Sequence, residues 1–440
     1  MITRRPSELT TNCCAHRAFQ AAFASRAAAL TAVIVAHGFA SSARADAVAD
    51  NAQAATDAPV KLDAVTVADT QGKLLASPKF TEPLRDTPQT IVVVPKLVIE
   101  QQGATSLSDV LRNTPGITFA AGEGGNVASG DSFFMRGFDA SGNIFIDGVR
   151  DTGAYSRDVF NLEQVEIAKG PAGADNGRGG TSGYINLASK TPHLETIRSG
   201  TLLVGTAGQR RATLDLSEPL AITGLKGAGV RVAAMWQQGG VSGRDEIENK
   251  SWGVAPSLAL GPGTPTRVTV AASFQRIDNL PDSGLPIVAL PTGTLYPAGL
   301  AAPTRAVSQE NFYGLASDFD RTSVESLTAR VEHDFNRELR ASNQTRLARN
   351  DRDALNTYIQ SAAVTASTFA AATTPPNPAT GAPPASYVSY DPVAATITPR
   401  RIRTQQENEI LSNQTNLTAL FTTGLIAHSA SGGLEFSRET

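Results

Sequence analysis

The chain has 440 residues, 41% of them hydrophobic and 18% charged, with a formal net charge of −3 and a mean hydropathy of −0.13. That length can bury a large core, but the body holds no long apolar run, which excludes a membrane-spanning helix after the N-terminus. The mild acidity argues against a nucleic-acid partner, and Cys13 and Cys14 are all the thiol the chain carries.

Residues 27–36 are apolar, follow Arg4, Arg5, Arg17 and Arg26, and precede the small-residue pattern Ala43, Arg44, Ala45. They read as part of a secretory signal peptide cleaved after Ala45; an Arg-rich, acid-poor mitochondrial transit peptide is the alternative. Cleavage removes five arginines and one glutamate, taking the 38 basic and 41 acidic residues to 33 and 40 and the charge to −7. Both cysteines leave too, so no disulfide framework and no thiolate metal site is expected. His193, His333 and His428 remain, without metal-ligand spacing.

Residues 46–59 lack periodicity and read as a flexible leader. Leu62, Asp63, Ala64, Val65, Thr66, Val67 and Ala68 then alternate, as an ordinary first strand does, or as a segment that adds itself to a partner's sheet edge. From 86 to 190 the pattern mixes helix and strand. Residues 90–94 predict a buried strand, Pro95 opens a helix that Gly103 ends, and Ser106 caps a second helix. Leu107, Val110 and Leu111 share one face of that helix, which stops before Pro115. Short strands are predicted at 132–135, 143–146, 165–168 and 184–187, giving a domain of about 100 residues that can fold as a unit.

Beyond Arg198 the character changes. Val230, Val232, Ala234 and Trp236 alternate with Arg231, Ala233, Met235 and Gln237; Val268, Val270, Ala272 and Phe274 do so with Thr269, Ala271, Ser273 and Gln275. One apolar and one polar face is what a membrane β-barrel wall needs, and also what a soluble sandwich with one wet face shows. Link lengths separate the two. A long link from 276 to 321, a tight turn at Asn336, Arg337 and Glu338, a long Pro-, Ala- and Thr-rich link over 351–400 and a tight turn near Thr423 and Gly424 alternate, as extracellular loops and periplasmic turns do. Residues 219–229 fit less well, being long for a periplasmic turn.

Four motifs stand in register over some sixty residues: Met135, Arg136, Gly137, Phe138; residues 144–150; residues 163–173; and Gly183, Tyr184, Ile185, Asn186. Together they resemble the plug domain of TonB-dependent outer-membrane siderophore receptors. The resemblance implies an α+β plug followed by an antiparallel transmembrane β-barrel of about 22 strands, of which about nine are present here. The domains expected are a signal peptide at 1–45, a periplasmic leader at 46–85, a plug at 86–192 and the N-terminal part of a barrel at 193–440. Since residues 432–440 end mid-strand without the terminal aromatic of the family, the polypeptide is expected to be part of a receptor, through a partial record or a truncated gene, and unable to transport alone.

The family implies active uptake of a ferric siderophore across the outer membrane of a Gram-negative bacterium, with TonB, ExbB and ExbD as partners and outer-membrane lipid around the wall. Residues 62–68 resemble the TonB box. Two plug segments face outward by this analogy, 122–129 with Glu123 and Asn126, and 150–157 with Arg150, Tyr155 and Arg157. A ferric tris-catecholate is an aromatic trianion, to which these two arginines and the tyrosine are chemically apt. Arg136, Gly137, Gly170, Pro171 and Gly173 are assigned structural roles. Iron arrives within the siderophore, so no protein metal ligand and no cofactor is expected. Residues 175–186 and 278–286 look like those of catecholate receptors, with haem, cobalamin or another chelate as alternative cargo and a non-functional remnant as a further one. A passive porin would lack the plug, a receptor that signals to a sigma regulator would need a further domain before residue 62, and no catalytic motif is present, so no enzyme is expected.

Overall fold

The computed structural model describes residues 75–440 except 78–79, 81–83, 121–129, 172–179, 225, 285–307, 309 and 364–395. The signal peptide, most of the leader and the TonB-box stretch lie outside the described residues. The described chain runs β1 (Thr90–Pro95), α1 (Lys96–Gln101), α2 (Leu107–Leu111), β2 (Ile117–Phe119), β3 (Phe133–Met135), β4 (Phe138–Asp139), β5 (Ile144–Ile146), β6 (Val149–Arg150), β7 (Leu162–Lys169) and β8 (Gly183–Ser189). These elements form a small α+β domain with one sheet in the order β1-β7-β8-β5-β6 and a second of β2-β3-β4.

Both predicted helices form where their caps place them. Pro95 stands in extended backbone at the N-cap of α1, and Gly103 takes a φ of 63° beyond its end. Ser106 and Asp109 make a reciprocal capping box, with Ser106 Oγ accepting from the Asp109 amide at 3.2 Å and Asp109 Oδ2 accepting from the Ser106 amide at 3.1 Å. The apolar face of α2, Leu107, Val110 and Leu111, packs with Val165, Ile167, Ile185 and Leu187 of the sheet in one core.

The first motif, 135–138, is a turn. Arg136 (φ 53°) and Gly137 (φ 85°) connect β3 and β4, with Met135 paired to Phe138. Two successive left-handed residues make the hairpin whose twist matches its strands. Asp147 (φ 52°) and Gly148 (φ 81°) do the same between β5 and β6.

Nine described strands follow: β9 (Ile197–Val204), β10 (Arg210–Pro219), β11 (Ala228–Gly239), β12 (Asn249–Leu260), β13 (Thr266–Asn279), β14 (Phe319–Asp334), β15 (Leu339–Ala363), β16 (Thr396–Thr423) and β17 (Ile426–Glu439). They pair as antiparallel neighbours in chain order. The alternation sorts as expected. Arg231, Ala233 and Met235 are buried toward the small domain, where Phe160 packs on Ala233, Met235 and Ala255. Trp236 and Trp252, directly paired, face outward about half exposed. Leu347, Leu411 and Leu417 extend the outward apolar surface, as a lipid-facing wall requires. No helix among the described residues is long and apolar enough to cross a membrane.

The links also fall into two ends. At one, strands are joined by 261–265, 335–338 and 424–425, with the longer 220–227 among them; at the other are the strand ends that flank 205–209, 240–248, 280–318 and 364–395. The long link expected over 351–400 is narrower than that, because β15 runs on to Ala363 and β16 starts at Thr396. Ion pairs tie this stretch to its neighbours, Arg352 to Asp320 at 2.6 Å and Arg403 to Asp353 at 2.8 Å. A strand outside the apolar zone needs no apolar face, so the two-residue period that marks membrane strands does not mark this stretch.

Candidate ligand-facing site and plug anchors

The β5–β6 turn touches the inner face of the wall. Gln344 of β15 and Gln414 of β16 are direct cross-strand partners. Gln344 Nε2 donates to the Asp147 carbonyl at 3.0 Å, and Gln414 Nε2 donates to the Gly148 carbonyl at 2.9 Å. From within the small domain, Asn186 Oδ1 accepts from the Gly148 amide at 2.9 Å and Asp147 Oδ1 accepts from the Ser189 amide at 2.8 Å. These four bonds fix the turn from both sides: three join neighbouring side chains to its own backbone, and one joins the Asp147 carboxylate to the Ser189 amide.

Beside it, residues 151–157 are clipped by one arginine. Arg157 Nε donates to Asp151 Oδ2 at 2.8 Å and Nη1 to Asp131 Oδ2 at 3.2 Å, while Nη1 and Nη2 also donate to the carbonyls of Tyr155, Asp151 and Gly153. The Tyr155 hydroxyl donates to Asp151 Oδ2 at 2.8 Å, and the guanidinium lies 4.3 Å from the tyrosine ring centroid. All four side chains are buried.

Burial pushes both carboxylates up, and they part in how far it is answered. At Asp151 the charges of Arg157 and of Arg346 on the wall overcome burial and hold its pKa below the usual value. Asp131 has the Arg157 charge but not that of Arg346 among its main influences, and burial leaves it raised. Burial and the neighbouring Asp151 charge raise the Tyr155 phenol, so it stays a neutral donor.

A second anchor gathers on Asp215 of β10. Arg231 of β11 grips it bidentately at 2.8 and 2.9 Å, and two lysines of the small domain reach it, Lys96 at 2.9 Å and Lys190 at 3.0 Å. Arg211 of β10 pairs with Asp158 through both carboxylate oxygens, at 2.6 and 2.7 Å.

Of the residues expected to meet a ligand, Tyr155 and Arg157 come together, but inside the small domain. This differs from the expected contact role, because every polar hydrogen of Arg157 is already donated to protein and burial removes both side chains from approach. Arg150 stands apart and partly exposed, its Nε donating to the Gly142 carbonyl at 2.9 Å and its Nη1 lying 3.5 Å from Glu439 of β17. Glu123, Asn126 and Gly173 lie outside the described residues, as do residues 62–68. Arg136 is exposed at its turn, Pro171 is exposed, and Gly170 takes a φ of 110°. Asp131, Asp151, Asp215, Gln344 and Gln414 were not singled out from sequence; the Asp147-Gly148 dipeptide was a readable hairpin signal, whereas the wall partners carry no local signature. Among the described residues no group of three or more His, Cys, Asp or Glu is placed to hold a metal ion.

Residues 83–184 match the family model of the TonB-dependent receptor plug domain. Over 399 residues the chain is 39% identical to the catecholate siderophore receptor Fiu of Escherichia coli (strain UTI89), covering 90% of this chain and 50% of that protein. It is similar to the crystal structure of the ferric-catecholate import receptor Fiu from E. coli K12 in its closed form, with a TM-score of 0.70 and 39% identity over 83% of this chain and 49% of that one. The crystal structure of the siderophore receptor PiuA from Acinetobacter baumannii matches with a TM-score of 0.67 and 29% identity over 84% of this chain and 48% of that one. The chain spans about half the length of the curated relatives it matches.

Proposed function

This chain belongs to the TonB-dependent outer-membrane siderophore receptors, and from that premise we propose that it serves the uptake of a ferric catecholate across the outer membrane. The observation that carries the reading is a plug hydrogen-bonded to the inner face of a wall whose outer face is apolar, at Gln344 and Gln414 and around Asp215. A passive pore has no use for such a stopper. Ferric siderophores are scarce and bulky, so their passage needs tight binding on one side and work to release them on the other. TonB, with ExbB and ExbD, would supply that work by adding a strand of its own to residues 62–68. Iron is cargo within the ligand, no resident cofactor is required, and no catalysis is involved. Arg150, partly exposed on the plug, is the proposed plug contact to the anionic ligand, and Glu123 and Asn126 are proposed as further contacts.

The test is accumulation of radiolabelled iron by cells that make the receptor, supplied as a ferric catecholate, with haem and cobalamin as competitors. Uptake of the catecholate, blocked by a Val65→Pro substitution that leaves binding unchanged, is the expected result. Competition by haem or cobalamin with no binding of catecholate would overturn the substrate assignment and favour one of those chelates.

A further inference from the structure

Residues 339–347 of β15 run from the tight turn at 335–338 toward Arg349, which pairs with Glu407 and Glu409 of β16. That stretch has about the length with which one strand crosses a hydrocarbon core, roughly 9–11 residues. Ser342, Gln344 and Arg346 are buried on its inner face, so Ala341, Asn343, Thr345 and Leu347 look outward. On β16, Ser412, Gln414 and Asn416 are buried in the same way, and Leu411, Asn413, Thr415 and Leu417 look outward.

Four polar side chains therefore meet in the middle of the lipid-facing zone. Asn343 is the direct cross-strand partner of Thr415, and Thr345 of Asn413. Asn343 Nδ2 donates to Asn413 Oδ1 at 3.2 Å and to Thr415 Oγ1 at 2.8 Å, while Asn413 Nδ2 donates to Asn343 Oδ1 at 3.2 Å and to Thr345 Oγ1 at 2.8 Å. Their surroundings are apolar. Leu347 opposite Leu411 closes one end and Ala341 opposite Leu417 the other, with Val331 of β14 and Phe436 of β17 at the flanks.

Hydrocarbon offers a polar group no partner, and polar side chains set in a membrane span are costly there. The reciprocal bonds use both hydrogens of each amide. They leave one lone pair on each amide oxygen, and among the described residues neither threonine hydroxyl has an acceptor for its hydrogen. Two donors and two acceptors are thus left facing lipid.

We propose that this amide and hydroxyl island is the contact through which a second copy of the receptor docks on the outside of the wall, giving a dimer within the outer membrane. A second copy is singled out because the leftover donors and acceptors are equal in number, which makes the patch complementary to itself. Two receptors inserted in the same orientation are related by a two-fold axis along the membrane normal, and an isologous contact needs a patch of that kind. Two islands face to face give each hydroxyl hydrogen an amide oxygen on the other copy. Ala329 and Ala341 beside the island are small enough to let two walls approach closely.

The experiment is energy transfer between donor- and acceptor-labelled copies of the full-length receptor, in vesicles of phosphatidylethanolamine and phosphatidylglycerol, as the protein-to-lipid ratio is raised. The parent is expected to give transfer above that of randomly placed molecules. Asn343→Leu combined with Asn413→Leu should raise the ratio needed for half-maximal transfer about tenfold or more. Leucine suits a lipid-facing position, so the heat resistance of the folded wall in detergent should not fall. If that double variant does not insert, Thr345→Val with Thr415→Val removes the unused donors at nearly the same shape and should shift association in the same direction. Parent transfer no higher than random placement gives, or a half-maximal ratio within twofold of the parent in the variant that inserts, would overturn the proposal and leave the island satisfied within one wall.

Discussion

Arg157 shows how much one side chain can organise in a plug with few regular elements. Its N–H groups reach two carboxylates and three carbonyls between Asp131 and Arg157 itself, so segments twenty residues apart become one body. Replacing it with methionine leaves Asp131 and Asp151 buried without their cation, a loss of about 3–5 kcal/mol. The expected readout is a lowered melting temperature and protease cleavage within residues 130–158. The clip also has a pH signature. Asp151 is held below its unfolded value near 3.9, so its stabilisation is present above that pH and disappears as pH falls through the lower folded value. Asp131 is shifted the other way, so its burial penalty is relieved on acidification. The stability gap between the parent and Asp151→Asn should therefore be wide at pH 7 and narrow as pH falls below about 3.9; a gap that stays constant would remove the charge from the account. None of this was legible in the sequence, where an arginine in a loop of small residues has every mark of a solvated one.

At the scale of elements, the parts with a local cause were readable and those with a distant cause were not. The cap at Ser106 is a short-range signal, and Ser106→Ala should cost about 1 kcal/mol, seen in chemical unfolding of the plug. Membrane strands were visible through their two-residue period because lipid and lumen demand opposite surfaces. The upper parts of β15 and β16 were not, since cross-strand ion pairs replace that demand. The turn at Arg136 and Gly137 escaped because arginine is no usual hairpin residue, and its left-handed backbone is set by the strands it joins. Gly183 belongs with these distant causes. Its φ is 121°, and a side chain there would run into the Ala168 carbonyl of β7. Gly183→Ala should open the β7–β8 pairing at a cost of about 3 kcal/mol or more, measurable as faster amide exchange across residues 165–169.

For the whole molecule, the decisive relation is between plug and wall. Asp215 is one carboxylate serving Lys96 near the start of the plug, Lys190 at its end and Arg231 on the wall. Asp215→Asn leaves three cations in mutual repulsion, and the plug should loosen at lower urea, read as earlier current through single receptors in planar bilayers. An unchanged urea threshold would show that the glutamine contacts suffice. The placement of β1 has a mechanical consequence. Among the described residues it is the first strand of the plug, lies at the edge of its sheet and pairs only with β7, from Thr90 opposite Lys169 to Pro95 opposite Gln164. Tension on the chain ahead of Thr90, where it acts across the strand, loads those bonds one after another from a single end, as a zipper is opened, whereas a pull along the strand would strain them together in shear. The strand nearest the pull can thus peel off under small force and close again when the force lapses, while the buried β7–β8 pair behind it keeps its shape as the template for return.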